Sequence, residues 1–151
     1  MTRLMLVVGA FLVTATAAVA EGGALNADGL RWGEAPPVLP RGAQLSVVSG
    51  DPGKGGLYVI RLRMPPGYKI PAHYHPTAEY VTVLSGNFHI GMGDKLDQSR
   101  GQELRAGGFA EAPASMHHYA WASSETVVQV HGQGPFALTY VDAADDPSRA
   151  R

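Results

Sequence analysis

The sequence predicts an all-β domain, a sandwich or barrel of short strands, on three observations. Nineteen glycines and eleven prolines interrupt the 151 residues about as often as turns interrupt such a domain. Runs of alternating or β-branched residues recur at short intervals, each closed by glycine, proline or a polar turn. No segment sustains the apolar period of a long amphipathic helix. The length suits one domain with a real core and is too short for two.

Taken in order, residues 1–20, "MTRLMLVVGAFLVTATAAVA", have one charge at Arg3, an apolar centre from Leu4 to Val13, and a small-x-small ending at Ala18 and Ala20. This is the layout of a secretory signal peptide, and the apolar centre is too short to span a bilayer. Its removal leaves 131 residues with 11 basic and 13 acidic side chains. A periplasmic or secreted protein is expected, with no membrane association after cleavage. The near-neutral balance recommends no nucleic-acid partner. There is no cysteine, so stability must come from core burial or oligomerisation, and any metal site must use imidazole and carboxylate.

Residues 21–43 contain Pro36, Pro37 and Pro40, which favour an extended arm. A barrel is expected over 44–141, with strands at 44–49, 57–64, 79–84, 87–92, 117–122, 126–131 and 136–141. The stretch "GDPGKGG" at 50–56 lacks the Lys-Ser/Thr ending of a phosphate loop and suits a hairpin turn. The polar tail, 142–151, is expected to fray.

The chemistry is concentrated in "GYKIPAHYHPTAEYVTVLSG", residues 67–86. Residues two apart on a strand share a face, so His73 and His75 project together while Tyr74 points away. After the bend at Pro76, Glu79 can return to the same point from the next strand. A second segment, "GGFAEAPASMHHYAWA", supplies His117 and His118 on a further strand. Alternation lets only one of the two face the interior.

At this point the chain resembles the cupin superfamily, as a small single-domain member. Gly67, His73, His75, Glu79 and Gly86 fill every specified position of the first cupin motif, G-x(5)-H-x-H-x(3)-E-x(6)-G. Gly107, Pro113 and His118 match the second, G-x(5)-P-x-G-x(2)-H-x(3)-N, which departs at Ser115 and Ala122. The resemblance implies a jelly-roll barrel, a double-stranded β-helix, holding one divalent transition metal through His73, His75, Glu79 and His118. His117 is the rival to His118, which the motif register favours. It also implies a homodimer as the default, and for enzymes with this ligand set, dioxygenase, oxidase, decarboxylase or isomerase chemistry. Manganese, iron or nickel suit the donors; zinc and copper also bind them.

With His118 inside, Ala120 and Ala122 share its face, and Val81 and Val83 share that of Glu79, so these four are candidate substrate-pocket residues. Tyr119 and Trp121 then face outward, under the N-terminal arm or a partner subunit. His131 is a candidate base, or orienter of a ligating imidazole, standing behind the ligands. Arg61 and Arg63 share a solvated outer face, and His89 is expected to face water. The expected function is a metal-dependent, dioxygenase-like oxidoreductase acting on a small oxygen-rich or phenolic molecule. The alternative is a non-catalytic metal or small-ligand binding module.

Overall fold

A computed structural model describes residues 23–150; the expected signal peptide, 1–20, lies outside them. The strands are β1 (Gly33–Glu34), β2 (Gln44–Ser49), β3 (Gly56–Met64), β4 (Lys69–Tyr74), β5 (Glu79–Ser85), β6 (Phe88–Met92), β7 (Gln102–Leu104), β8 (Phe109–Ala112), β9 (His118–Ala122), β10 (Thr126–Gly134) and β11 (Thr139–Tyr140). They form two antiparallel sheets, ordered β1-β2-β3-β10-β5-β8 and β11-β4-β9-β6-β7. From β3 to β6, and again from β8 to β11, the chain crosses to the other sheet at every strand. This is the winding of a jelly roll, an all-β double-stranded β-helix.

Alternation dictates what lies between the sheets. Along β10 every second residue from Thr126 to Gly134 is buried. Val128 pairs with Leu62 on one side and Val83 on the other, and Val130 with Ile60 and Val81. From the opposite sheet Ile70, Phe88, Ile90, Ala120 and Ala122 complete the same core. Each fully buried side chain of this kind contributes about 1.5–3 kcal/mol.

Sequence and structure part in several places, and β1, β4, β7 and β8 are all absent from the expected strands. The strand β4 was not expected as a whole, because Pro71 breaks its pattern. The β4–β9 register shifts between Ile70 and His73, and at such an irregularity the missing proline N–H leaves the ladder intact. The last expected strand, 136–141, contracts to Thr139–Tyr140, because Phe136 and Leu138 turn into the interior. The tail forms two 3-10 turns, Ala143–Asp145 and Pro147–Ala150, with Asp142 accepting from Ala144 N at 2.9 Å.

Tyr119 and Trp121 do lie outside the barrel, yet only 1% and 5% exposed. Their cover is the loop after β6, not the N-terminal arm: Tyr119 donates to the Asp97 carbonyl at 3.1 Å, and Leu96 packs against them. His89, expected in water, is half-buried and stacks on Trp121 at 4.6 Å. The arm instead covers the barrel end, where Leu39 is buried. The hydroxyls of Tyr140 and Tyr68 donate to the Val38 and Pro40 carbonyls at 2.8 and 2.6 Å. Arg61 and Arg63 bond Gln129 and Gln44 on the outer face, and Arg63 also lies over Trp32.

The turn between β5 and β6 depends on Gly86, at φ 79°, where an added Cβ would strike the Glu125 carbonyl oxygen. Gly86→Ala therefore meets backbone strain and a clash together, and urea denaturation should show a loss of more than about 2 kcal/mol.

Candidate metal centre

Three imidazoles meet at one end of the core. His73 sits on β4, directly opposite His118 on β9; His75 follows β4. Their ring centroids are 4.2 Å (His73–His118), 5.1 Å (His73–His75) and 5.3 Å (His75–His118) apart. All three residues are no more than 5% exposed. Glu79, the first residue of β5, brings Oε2 to 3.4 Å from Nε2 of both His75 and His118.

The orientation of each ring is set by the main chain. The Nδ1 atoms of His73, His75 and His118 lie 2.7, 2.7 and 3.0 Å from the carbonyl oxygens of Pro71, Ala137 and Met116. An oxygen that only accepts makes each Nδ1 the protonated donor, so each Nε2 keeps its lone pair and points inward. The Nε2 atoms of His75 and His118 are buried with no hydrogen-bond partner; the carboxylate at 3.4 Å is too far for a good one. Buried polar atoms left this way are costly, and a cation would satisfy both. Candidate ligand atoms of the three histidines lie within 4.8 Å of one another, so the group could hold a metal ion.

The protonation states of His73 and Glu79 match this arrangement. Burial, reinforced by His118, pushes His73 down from 6.5 to about 3, so its ring is neutral. Burial works to raise Glu79, but contacts from His118 and His75 outweigh it and hold the carboxyl well below its ordinary range. For His75 burial works downward, and the nearby Glu79 reverses it, leaving the group raised.

His117 lies on the other face, with 37% of its side chain exposed, Nδ1 2.6 Å from Asp94 Oδ1 and the ring stacked on Tyr74. His131 must be corrected. It faces outward from β10 and stacks on Tyr80 at 5.0 Å, so it neither orients nor relays protons for these imidazoles; the carbonyls do the orienting. Of the expected pocket residues, Val81 and Ala120 line the cavity beside the histidines. Val83 and Ala122 share their faces but lie deeper, packed in the core.

Sequence reasoning missed Tyr58. It pairs with Gly132 on β10, whose other neighbour is Glu79 on β5. With no side chain at Gly132, the phenol lies close over it: an added Cβ would be 3.1 Å from Tyr58 Oη. Burial and then the Glu79 charge push this phenol up to about 12. The glycine opposite a β3 tyrosine was the available signal, readable once the register was known.

The turn before β9 carries Ser115 at φ 63°, the one non-glycine with positive φ among the described residues. Its N–H donates to the His75 carbonyl at 2.8 Å. The second cupin motif has glycine here, and the backbone keeps the glycine conformation with a serine in it.

A family model described as the cupin domain matches residues 60–131. Residues 60–131 form a cupin domain. The polyketide cyclase RemF from Streptomyces resistomycificus superposes on this cupin with a TM-score of 0.69 at 15% identity, over 85% of this chain and 91% of that one. A putative acetylacetone dioxygenase from Methylibium petroleiphilum PM1 gives 0.63 at 17%, over 84% and 85%. An RmlC-like cupin protein from Ralstonia eutropha JMP134 gives 0.62 at 20%, over 82% and 74%. At these identities the likeness is one of fold. No curated protein matches the sequence significantly.

Two outcomes follow from this geometry. Ser115→Gly removes left-handed strain of about 1 kcal/mol, so calorimetry should show a Tm raised by about 3 °C. Metal-free protein should lose stability as pH falls from 6.5 towards 3, because the unfolded chain takes up a proton at His73 that the folded state refuses. Glu79, whose folded value is depressed, adds to that loss below about 4.5. His75 has the opposite sign, its contribution being present at low pH and lost as pH rises. The urea midpoint should therefore drop between pH 6.5 and 4, and drop less in His73→Asn.

Proposed function

We propose that this cupin is an exported enzyme that binds one divalent transition metal through His73, His75, Glu79 and His118 and uses it in dioxygenase-like chemistry on a small oxygen-rich or phenolic molecule. The observation that carries the reading is the pair of orphaned, buried Nε2 atoms facing the Glu79 carboxylate. Three neutral imidazoles and one carboxylate suit manganese, iron or nickel, and also zinc or copper. Bound there, such an ion supplies Lewis acidity and, where it is redox-active, electrons.

The residues supply the rest. The main-chain carbonyls hold the three rings in one tautomer, and the packed barrel excludes bulk water, which strengthens every charge interaction inside. Tyr58 keeps its proton at Oη beside Glu79 but does not line the cavity, so it neighbours the carboxylate without facing a bound molecule. Export rests on the leader layout of residues 1–20, and a homodimer on the family resemblance. A binding module is the second reading, favoured by one observation: beyond the four proposed ligands, the residues lining the cavity carry no acid or base.

Elemental analysis of untagged protein should find about one transition metal per chain, lost in His75→Ala and His118→Ala and kept in His117→Ala. A metal-free wild type, or loss in His117→Ala alone, defeats the assignment. Tyr58→Phe should keep the metal, and an oxygen-electrode assay of the metal-loaded wild type should show oxygen uptake with a small oxygen-rich or phenolic substrate. Tight ligand binding with no oxygen uptake from any substrate favours the binding module.

A further inference from the structure

The cavity beside the histidines has an open volume of about 40 Å³, room for about three waters on that measure. Anything larger needs a wall to move. Most lining residues stand on strands; Leu39, His75, Phe136 and Leu138 come from loops. The loop carrying Phe136 is tied down at both of its roles. The Phe136 N–H donates to the Pro52 carbonyl at 2.7 Å, and the next carbonyl, that of Ala137, aims the His75 ring. Swinging this loop away would release a candidate ligand. The loop carrying Leu39 has no such duty. Residues 36–42 are the tip of the β1–β2 hairpin, beyond the bond from the Ala35 N–H to the Ala43 carbonyl at 3.1 Å. Pro36, Pro37 and Pro40 stiffen the tip, Gly42 at φ 109° returns it to β2, and Leu39, 5% exposed, drops from it into the cavity. Among the described residues its hydrogen bonds to the barrel are two, from the Tyr140 and Tyr68 hydroxyls to the Val38 and Pro40 carbonyls.

We propose that residues 36–42 are a flap that opens the cavity, with Leu39 as its plug and the Tyr68 and Tyr140 hydroxyls as its latch. One buried leucine and two net hydrogen bonds together are worth a factor of roughly 10²–10⁴ in an equilibrium constant. The flap therefore stands open in about one molecule in a hundred to one in ten thousand, more often than a whole domain of ordinary stability unfolds. Opening it moves no histidine and breaks no strand ladder. Vacating a buried leucine frees a space on the order of 100 Å³ beside the candidate ligands. A molecule of more than a few atoms thus enters with Leu39 displaced. The motion concerns access to the cavity and holds whether or not an ion is bound there.

The chain has no cysteine, so a single introduced thiol reports its own exposure. Leu39→Cys places one on the plug, Val81→Cys on the cavity wall, and Val83→Cys in the core away from the cavity. Each mature variant is treated with methyl methanethiosulfonate in EDTA, and labelling is timed from zero urea up to the unfolding transition. Positions 39 and 81 should label at least about a hundredfold faster than position 83, with rates almost flat in urea. Labelling at position 83 should rise steeply, because only unfolding exposes it. Adding Tyr68→Phe and Tyr140→Phe together should speed labelling at 39 and 81 about tenfold. Equal rates and equal urea slopes at 39 and 83 overturn the flap. Labelling at 81 that ignores the two tyrosine replacements puts the entrance elsewhere and overturns the gating role. Should Leu39→Cys fail to fold, the near-isosteric Val81→Cys, with and without those replacements and set against Val83→Cys, decides both points.

Discussion

The structure turns on one constraint, the burial of three imidazoles in a space otherwise lined with hydrocarbon. A ring nitrogen without a partner in that environment is destabilising by about 1–3 kcal/mol, and two such nitrogens face each other across Glu79. The barrel can bear this because everything around the cluster is well paired and well packed: the strand ladders of both sheets, the aliphatic rows of β3, β5 and β10, and the carbonyls that hold the rings. Polar atoms concentrated against this background form a site poised for a cation.

Much of this was legible in the sequence because its rules are local. Strand alternation separates His118 from His117, and the structure puts the first in the cavity and the second beside Asp94 at the surface. The same rule turned Tyr119 and Trp121 outward. It could not say what covers them, since the loop over them is polar apart from Leu96 and shows no periodicity. His131 misled for a related reason: a histidine at a strand end looks available, but along β10 it has the opposite parity to the buried Val130, and that parity turns it away.

What stayed hidden was long-range. Ala137 lies 62 residues from His75, and an alanine announces nothing. Tyr58 meets Glu79 only through a register that pairs each with Gly132. Pro71 concealed a strand by the feature that marks its register shift. Leu39, on an arm rich in proline, gave no hint that it closes the cavity.

The use of main-chain oxygens to aim the rings has a wider consequence. A carbonyl is present whatever residue bears it, so positions 71, 116 and 137 hold their imidazoles by the path of the chain and not by side-chain identity. Mutation can change those residues freely provided the path survives. Such a centre constrains geometry while leaving composition open, so the scaffold is free to acquire new walls, and with them new specificities, around an unchanged set of donors.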